Sequence, residues 1–297
     1  MIIDTVALEK GIRTEFNKAY HVAKAPPLDA IFLRVSSRAA SEKYGWMGDV
    51  PTLREWLGDK HVKAASDHEY TLANKDWEST IGVDRNEIED DQMGMIKPRI
   101  QMLSIRAKAY PARLVSDLVI NGTTNLAYDG SAFFADRTAP NDNLLAGSGV
   151  TDANLLTDLA AARAAMMRFH DDNGEDLGIV PDTILCPPEL EPQFQKLIAS
   201  TTHITASAQG IANVWAGSIK RVFVDSRLSD ANDWYVLMTD WPLKPFIYQE
   251  RKKPMLVAMD KNTDTEVFMR KRLLYSVEMR GVGGYGFYQQ AVKIVNT

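Results

Sequence analysis

The clearest hydrophobic pattern in the chain lies between residues 87 and 121. Met93, Ile96, Ile100, Leu103, Ala107, Tyr110, Leu114 and Leu118 recur there in steps of three and four. That spacing lays one apolar stripe along a long amphipathic helix. Glu87, Glu89, Asp90 and Asp91 stand at its start and Arg106, Lys108 and Arg113 further along, the charge order a helix macrodipole favours. Pro98 and Pro111 each remove a backbone donor, so the helix is expected to kink or divide. Upstream, Tyr70 and Leu72 alternate with polar neighbours, as do Trp77, Ser79, Ile81 and Val83, the period of two that marks strands. Asn74-Lys75-Asp76 supplies turn residues between them, which predicts a long two-stranded hairpin. A hairpin alone is marginal in water, so this one needs a partner surface.

The rest of the chain reads as mixed α and β. A helix is expected over residues 4–20, then Ala25-Pro26-Pro27 and an extended IFLRV at 31–35. Pro51 opens a short PTLREWL helix and Gly58 closes it. Residues 122–150 are loop-rich. Thr151 caps a helix bearing Leu155, Leu159, Met166 and Phe169, DTILC at 182–186 is a buried strand, and Pro187-Pro188 leads into a helix, ELEPQFQKLIAS. Two further strands run over 220–224 and 234–238. The tail is β-rich, with PFIYQE, PMLVAMD and a longer strand from Glu266 toward Val277.

Composition narrows the function classes. The 297 residues carry a net charge of −5, unevenly spread. Residues 122–240 hold sixteen acidic against seven basic side chains, and residues 241–297 hold five against ten. Such asymmetry suits complementary self-association and equally suits solubility, whereas a general nucleic-acid binder is normally basic. No apolar run approaches the roughly 20 residues a membrane span needs, so no membrane partner is expected. The single cysteine, Cys186, excludes an internal disulfide framework and a Cys-rich zinc site, consistent with a reducing compartment.

Candidate chemistry is sparse. GVGGYG at 281–286 has the letters of a dinucleotide fingerprint, but that motif needs a following helix and an acid about 20 residues on. A glycine bend in a sheet fits better. DDNGEDLG at 171–178 has the composition of a calcium loop without its spacing, Gly174 falling at position four, and reads as a helix-terminating turn. His21, His61, His68, His170 and His203 lie in five separate contexts and form no metal motif. Cys186 sits in an apolar strand as a structural thiol, and Glu87 to Asp91 read as helix-start acids. No cofactor or metal is expected.

The stretch YGWMGDVPTLREWLGDKHVKAASDHEYTLANKDWESTIGVDRNEIEDDQMGM at 44–95 and the ending FMRKRLLYSVEMRGVGGYGFYQQA at 268–291 resemble the major head subunits of Mu-like bacteriophages. These are capsid proteins of the Hong Kong 97-type shell fold. The resemblance implies an α+β fold with an N-terminal arm at 1–45, an extended β-hairpin loop at 46–86 and a peripheral domain with spine helix at 87–150. An axial domain at 151–240 and a return to the peripheral sheet at 241–297 complete it. It implies a non-catalytic subunit forming hexamers and pentamers of an icosahedral head around double-stranded DNA, located in the virion. Portal and decoration proteins are further implied partners. With the arm starting at Met1, the scaffold and maturation protease are expected to be separate proteins. The hairpin would lie across a neighbour, which makes Trp77, Tyr70 and Ile81 the expected intersubunit contacts. Two rivals remain open: an encapsulin-type nanocompartment of the same fold, which the Mu-like motifs oppose, and an enzyme with an α/β pocket near His170 and Asp171.

Overall fold

A computed structural model describes residues 5–45, 70–89, 93–171, 174–199, 202–204, 210–212, 217–261 and 263–296. The expected helix at 51–57, His61, His68, Asp90 and Asp91 lie outside these residues. Helix α1 (Thr5–Val22) is followed by strands β1 (Phe32–Ser36), β2 (Ser41–Tyr44), β3 (Tyr70–Ala73) and β4 (Lys75–Asp84), then by helices α2 (Arg85–Glu89) and α3 (Met93–Ile120). Next come β5 (Leu144–Ala146), α4 (Asp152–Met167), β6 (Thr183–Cys186), α5 (Glu191–Ala199), β7 (Thr202–Ile204), β8 (Gly210–Ala212), β9 (Arg221–Val224) and β10 (Trp234–Leu237). The long β11 (Phe246–Met259), α6 (Thr265–Arg270), the long β12 (Arg272–Tyr285) and β13 (Ala291–Val295) finish the fold.

Two sheets organise these elements, in the orders β1-β11-β12-β4 and β5-β13-β10-β6-β9. In the first, β11 and β12 form an antiparallel ribbon and β4 adds a third strand, pairing from Asp84↔Arg272 to Lys75↔Gly281. One sheet face packs on α3, because Leu273, Tyr275, Val277 and Met279 alternate inward along β12. In the second sheet, Thr151 caps α4 by accepting the Asn154 N–H, and Leu155, Leu159 and Met166 bury against a strand, β6, whose four residues are all buried.

Four expectations change. The predicted hairpin does not close at Asn74: β3 pairs with β2, and β4 pairs with β12. A period of two reports which face is buried and is silent on which strand lies alongside. The helix is not divided at its prolines. α3 runs 28 residues through Pro98 and Pro111, held by α1 on one side and the sheets on the other, and Glu87 and Glu89 of the expected acidic start lie in the separate α2. Residues 266–270, expected as the start of a strand, belong to α6, which Lys271 closes in the left-handed region. Finally, the stretch 241–297 does not return wholly to the first sheet, since β13 lies between β5 and β10 in the second.

The two sheets share a core. Phe133 stacks on Tyr285 at 4.5 Å, and this aromatic cluster runs on through Phe134 to Tyr235 of β10. The irregular 121–143 segment that supplies Phe133 is organised by Arg137. Its guanidinium reaches Asp129 (2.9 Å), the Asn143 Oδ1 (2.6 Å) and the Ala132 carbonyl (2.8 Å), and lies 3.7 Å over the Tyr288 ring.

The arm helix is gripped by α3. Ile12 and Phe16 bury against Ile96, Ile100 and Leu103. The Ser104 hydroxyl donates to the Phe16 carbonyl (2.8 Å), and the Lys108 ammonium donates to the Tyr20 carbonyl (2.9 Å) and that of Ala23. A cation that satisfies the last carbonyls of a helix also complements its dipole. Lys108→Met, which keeps the stem and removes the donor, should therefore loosen α1. Limited proteolysis is expected to cut within it about tenfold faster, which corresponds to ~1.4 kcal/mol of local opening; an unchanged cleavage rate would contradict this latch.

Candidate subunit interface

The side of β4 that carries Trp77 faces α3 across an open cleft of about 350 Å³. Its walls are Trp77, Leu103, Ala107, Tyr110, Val277 and Met279, with the exposed Arg106 and Arg113 and with Glu78 beside them. Strand alternation aims Trp77 at the helix, and the stripe of α3 aims Tyr110 back, so the two rings meet at 5.1 Å. The Trp77 indole N–H donates to the Gly281 carbonyl at 2.9 Å, which fixes the ring and leaves one side in the cleft. Arg113 lies 5.8 Å over the Tyr110 ring. The arrangement is an apolar slot with cationic margins, suited to a peptide segment with apolar and acidic side chains.

Tyr70 and Ile81, expected beside Trp77, take other places. The Tyr70 hydroxyl accepts the Tyr285 backbone N–H at 3.0 Å, and burial raises its pKa. Ile81 is half-buried against the cluster formed by α1, α3 and the ribbon. Only Trp77 of the three lines the cleft. The sequence reading did not single out Arg106, Arg113 or Tyr110 as cleft residues. Their signal was present as the helical stripe and the bases beside it, but it could be interpreted only once β4 was placed opposite.

The other motifs have structural explanations. Residues 281–285 finish β12 and Gly286 follows it, and Gly284 and Gly286 leave space for Leu72 and the Lys244 carbonyl. His170 pairs with Asp176 at 2.8 Å across a turn, and its backbone N–H donates to Asn141. Asp171 is buried and accepts the Glu175 N–H, so this segment closes a turn. Asp172 and Asn173 lie outside the described residues. Burial pushes the Cys186 thiol up to about 12, the behaviour of an inert core cysteine. Among the described residues no cluster of three His, Cys, Asp or Glu could hold a metal ion, and no helix is long and apolar enough to cross a membrane.

Comparison with known proteins decides what this fold is. The family model described as the Mu-like prophage major head subunit gpT matches residues 5–156, 150–226 and 223–297. The chain belongs to that family. This head subunit is 28% identical to the major capsid protein of Escherichia phage Mu over 296 residues, covering 99% of this chain and 75% of that protein. It is 30% identical to the Mu-like prophage FluMu major head subunit of Haemophilus influenzae over 290 residues, 97% of this chain and 73% of that protein. Among solved structures, a chain of the procapsid of bacteriophage JBD30 superposes with a TM-score of 0.57 at 29% identity, over 97% of this chain and 74% of that one. The head subunit is thus a structural, non-catalytic capsid protein of a Mu-like tailed phage, with the Hong Kong 97-type fold and a place in the virion. The nanocompartment and enzyme alternatives are not favoured.

Proposed function

We propose that the head subunit assembles with its own copies into hexamers and pentamers that close an icosahedral shell around double-stranded DNA. The observation that carries this reading is the family match through the whole length of the chain, from α1 to β13. A net charge of −5 suits a container that does not grip its contents, because tight binding to DNA is built from many phosphate-neutralising cations. In this reading the subunit is made in the bacterial cytoplasm. It meets a scaffold and a maturation protease during assembly, then the portal and decoration proteins on the head.

Within the assembly, Trp77 contacts a neighbouring subunit through the cleft, while Tyr70 and Ile81 support the strands behind it. Support comes from the open apolar slot between Arg106 and Arg113. Trp77→Ala should leave the subunit folded, as judged by thermal unfolding. The yield of rings and shells, read by size exclusion and negative-stain electron microscopy, should fall about tenfold or more, as for an aromatic anchor in a contact. Normal yields of intact particles would remove Trp77 from the contact. A chain that stays monomeric even with a scaffold supplied would overturn the shell reading itself.

A further inference from the structure

Asp260, directly after β11, is a buried carboxyl with no cation to meet it. It is 1% exposed, and among the described residues no Lys, Arg or His forms an ion pair with it. Lys261, next in the chain, is exposed instead. The Tyr275 hydroxyl donates to the Asp260 Oδ2 at 3.3 Å, a long bond from a side chain that is itself fully buried. Acids are rarely buried without a partner, because stripping the charge of water is costly.

The elements around it bring more negative charge. In α1, Glu9, Ile12 and Phe16 follow one another by three and four residues, so Glu9 shares the face that buries Ile12 and Phe16 against Tyr275, Ile96 and Ile100. Glu9 is paired with Arg13 at 2.8 Å, one turn further along the same helix. Ahead of α6 stands Asp264, whose carboxylate accepts the Lys261 backbone N–H at 2.9 Å. β12 contributes the phenol of Tyr275, and α3 contributes only apolar side chains to this cluster.

Burial first, then the charge of Glu9 and more weakly that of Asp264, holds the Asp260 carboxyl above the ordinary carboxylate range; the Tyr275 hydrogen bond opposes this only in part. Such a group binds its proton more tightly when α1 is packed down than when α1 has opened and water reaches it. The packed state therefore has its full stability at acid pH and loses it as pH rises through the elevated range.

We propose that Asp260 is a proton-operated latch on the arm helix: with its proton it lets α1 lie on the ribbon, and without it the carboxylate repels Glu9 and loosens α1. The inference concerns a single chain and does not depend on shell formation, so it is tested on the purified subunit before assembly. Hydrogen exchange of the α1 amides, corrected for the intrinsic effect of pH on exchange, reports how often the helix opens. Opening should rise about tenfold between about pH 4.5 and about pH 8, a window above the ordinary carboxylate range. The amides of α4, which packs on the other sheet, serve as the internal reference and should show no such rise. Asp260→Asn stays neutral at every pH and can still accept the Tyr275 O–H, so it should abolish the rise. Glu9→Gln, at a half-buried position, should reduce it. Opening of α1 that is flat with pH in the wild type, or a rise in Asp260→Asn as large as that of the wild type, overturns the latch. Should Asp260→Asn fail to fold, the Glu9→Gln profile decides, and a rise equal to that of the wild type overturns the latch as well.

Discussion

Arg137→Ala should lower the stability of the head subunit by about 3–5 kcal/mol, the range seen when one partner of a buried ion pair is removed. The Arg137 side chain is only 9% exposed and most of the Asp129 carboxylate is shielded with it, so the groups it satisfies are largely withheld from water. Its loss strands Asp129 beside the carbonyl of Ala132, withdraws a donor from Asn143 and uncovers the Tyr288 ring. Asn143 is itself buried and donates to the carbonyls of Phe133 and Ala291, so the damage reaches both sheets. Urea denaturation would measure it. Arg137→Lys should recover little, because an ammonium cannot reproduce the fork of a guanidinium. A loss below about 1 kcal/mol would mean that the 121–143 segment is held by its aromatic residues alone.

Gly286→Ala is expected to be at least as damaging. A Cβ at this position would stand 2.2 Å from the Lys244 carbonyl oxygen and 3.2 Å from that of Pro245. Both obstacles are backbone, and Gly286 already donates its N–H to Pro245 at 2.8 Å, so the chain cannot open without breaking that bond. A loss above about 4 kcal/mol, seen as insoluble expression or a collapsed unfolding midpoint, belongs to the few mechanisms able to produce one. Gly11→Ala provides the contrast. Nothing lies within 4 Å of its Cβ position in α1, and removing a helical glycine there should be neutral or stabilising by up to ~1 kcal/mol. Equal behaviour of the two variants would show that the bend at 286 is not fixed by that carbonyl.

Much of the fold could be read from local pattern. The stripe from Met93 to Leu118 lies in α3, Thr151 caps α4, and DTILC contains the buried β6. These features depend on residues close in sequence, where periodicity and capping act directly. What escaped depends on neighbours far along the chain. Asn74 looked like a turn between paired strands, yet the partner of β3 is β2 and that of β4 is β12, two hundred residues later. Val267, Phe268 and Met269 read as strand because they are apolar. Only the ribbon on either side shows that one faces inward and two face out. For the candidate interface the limit was the same: Trp77 stood out in its polar strand, but the cleft exists only through α3. The 44–95 and 268–291 motifs were legible as family features, and they said nothing about which side chains line a slot.

The position of β13 has a mechanical consequence. The strand lies between β5 and β10, and the polypeptide reaches it from the ribbon through Phe287, Tyr288, Gln289 and Gln290, all buried. Residues 151–240 cut out alone would leave the Trp234–Leu237 edge of β10 bare, so that lobe is not an autonomous unit. Nor is the link through residues 287–290 a loose tether, because its four side chains are buried. Where copies must meet at different inclinations, as in hexamers and pentamers of one shell, the adjustment is expected at the borders between rigid subunits and not at a hinge within each.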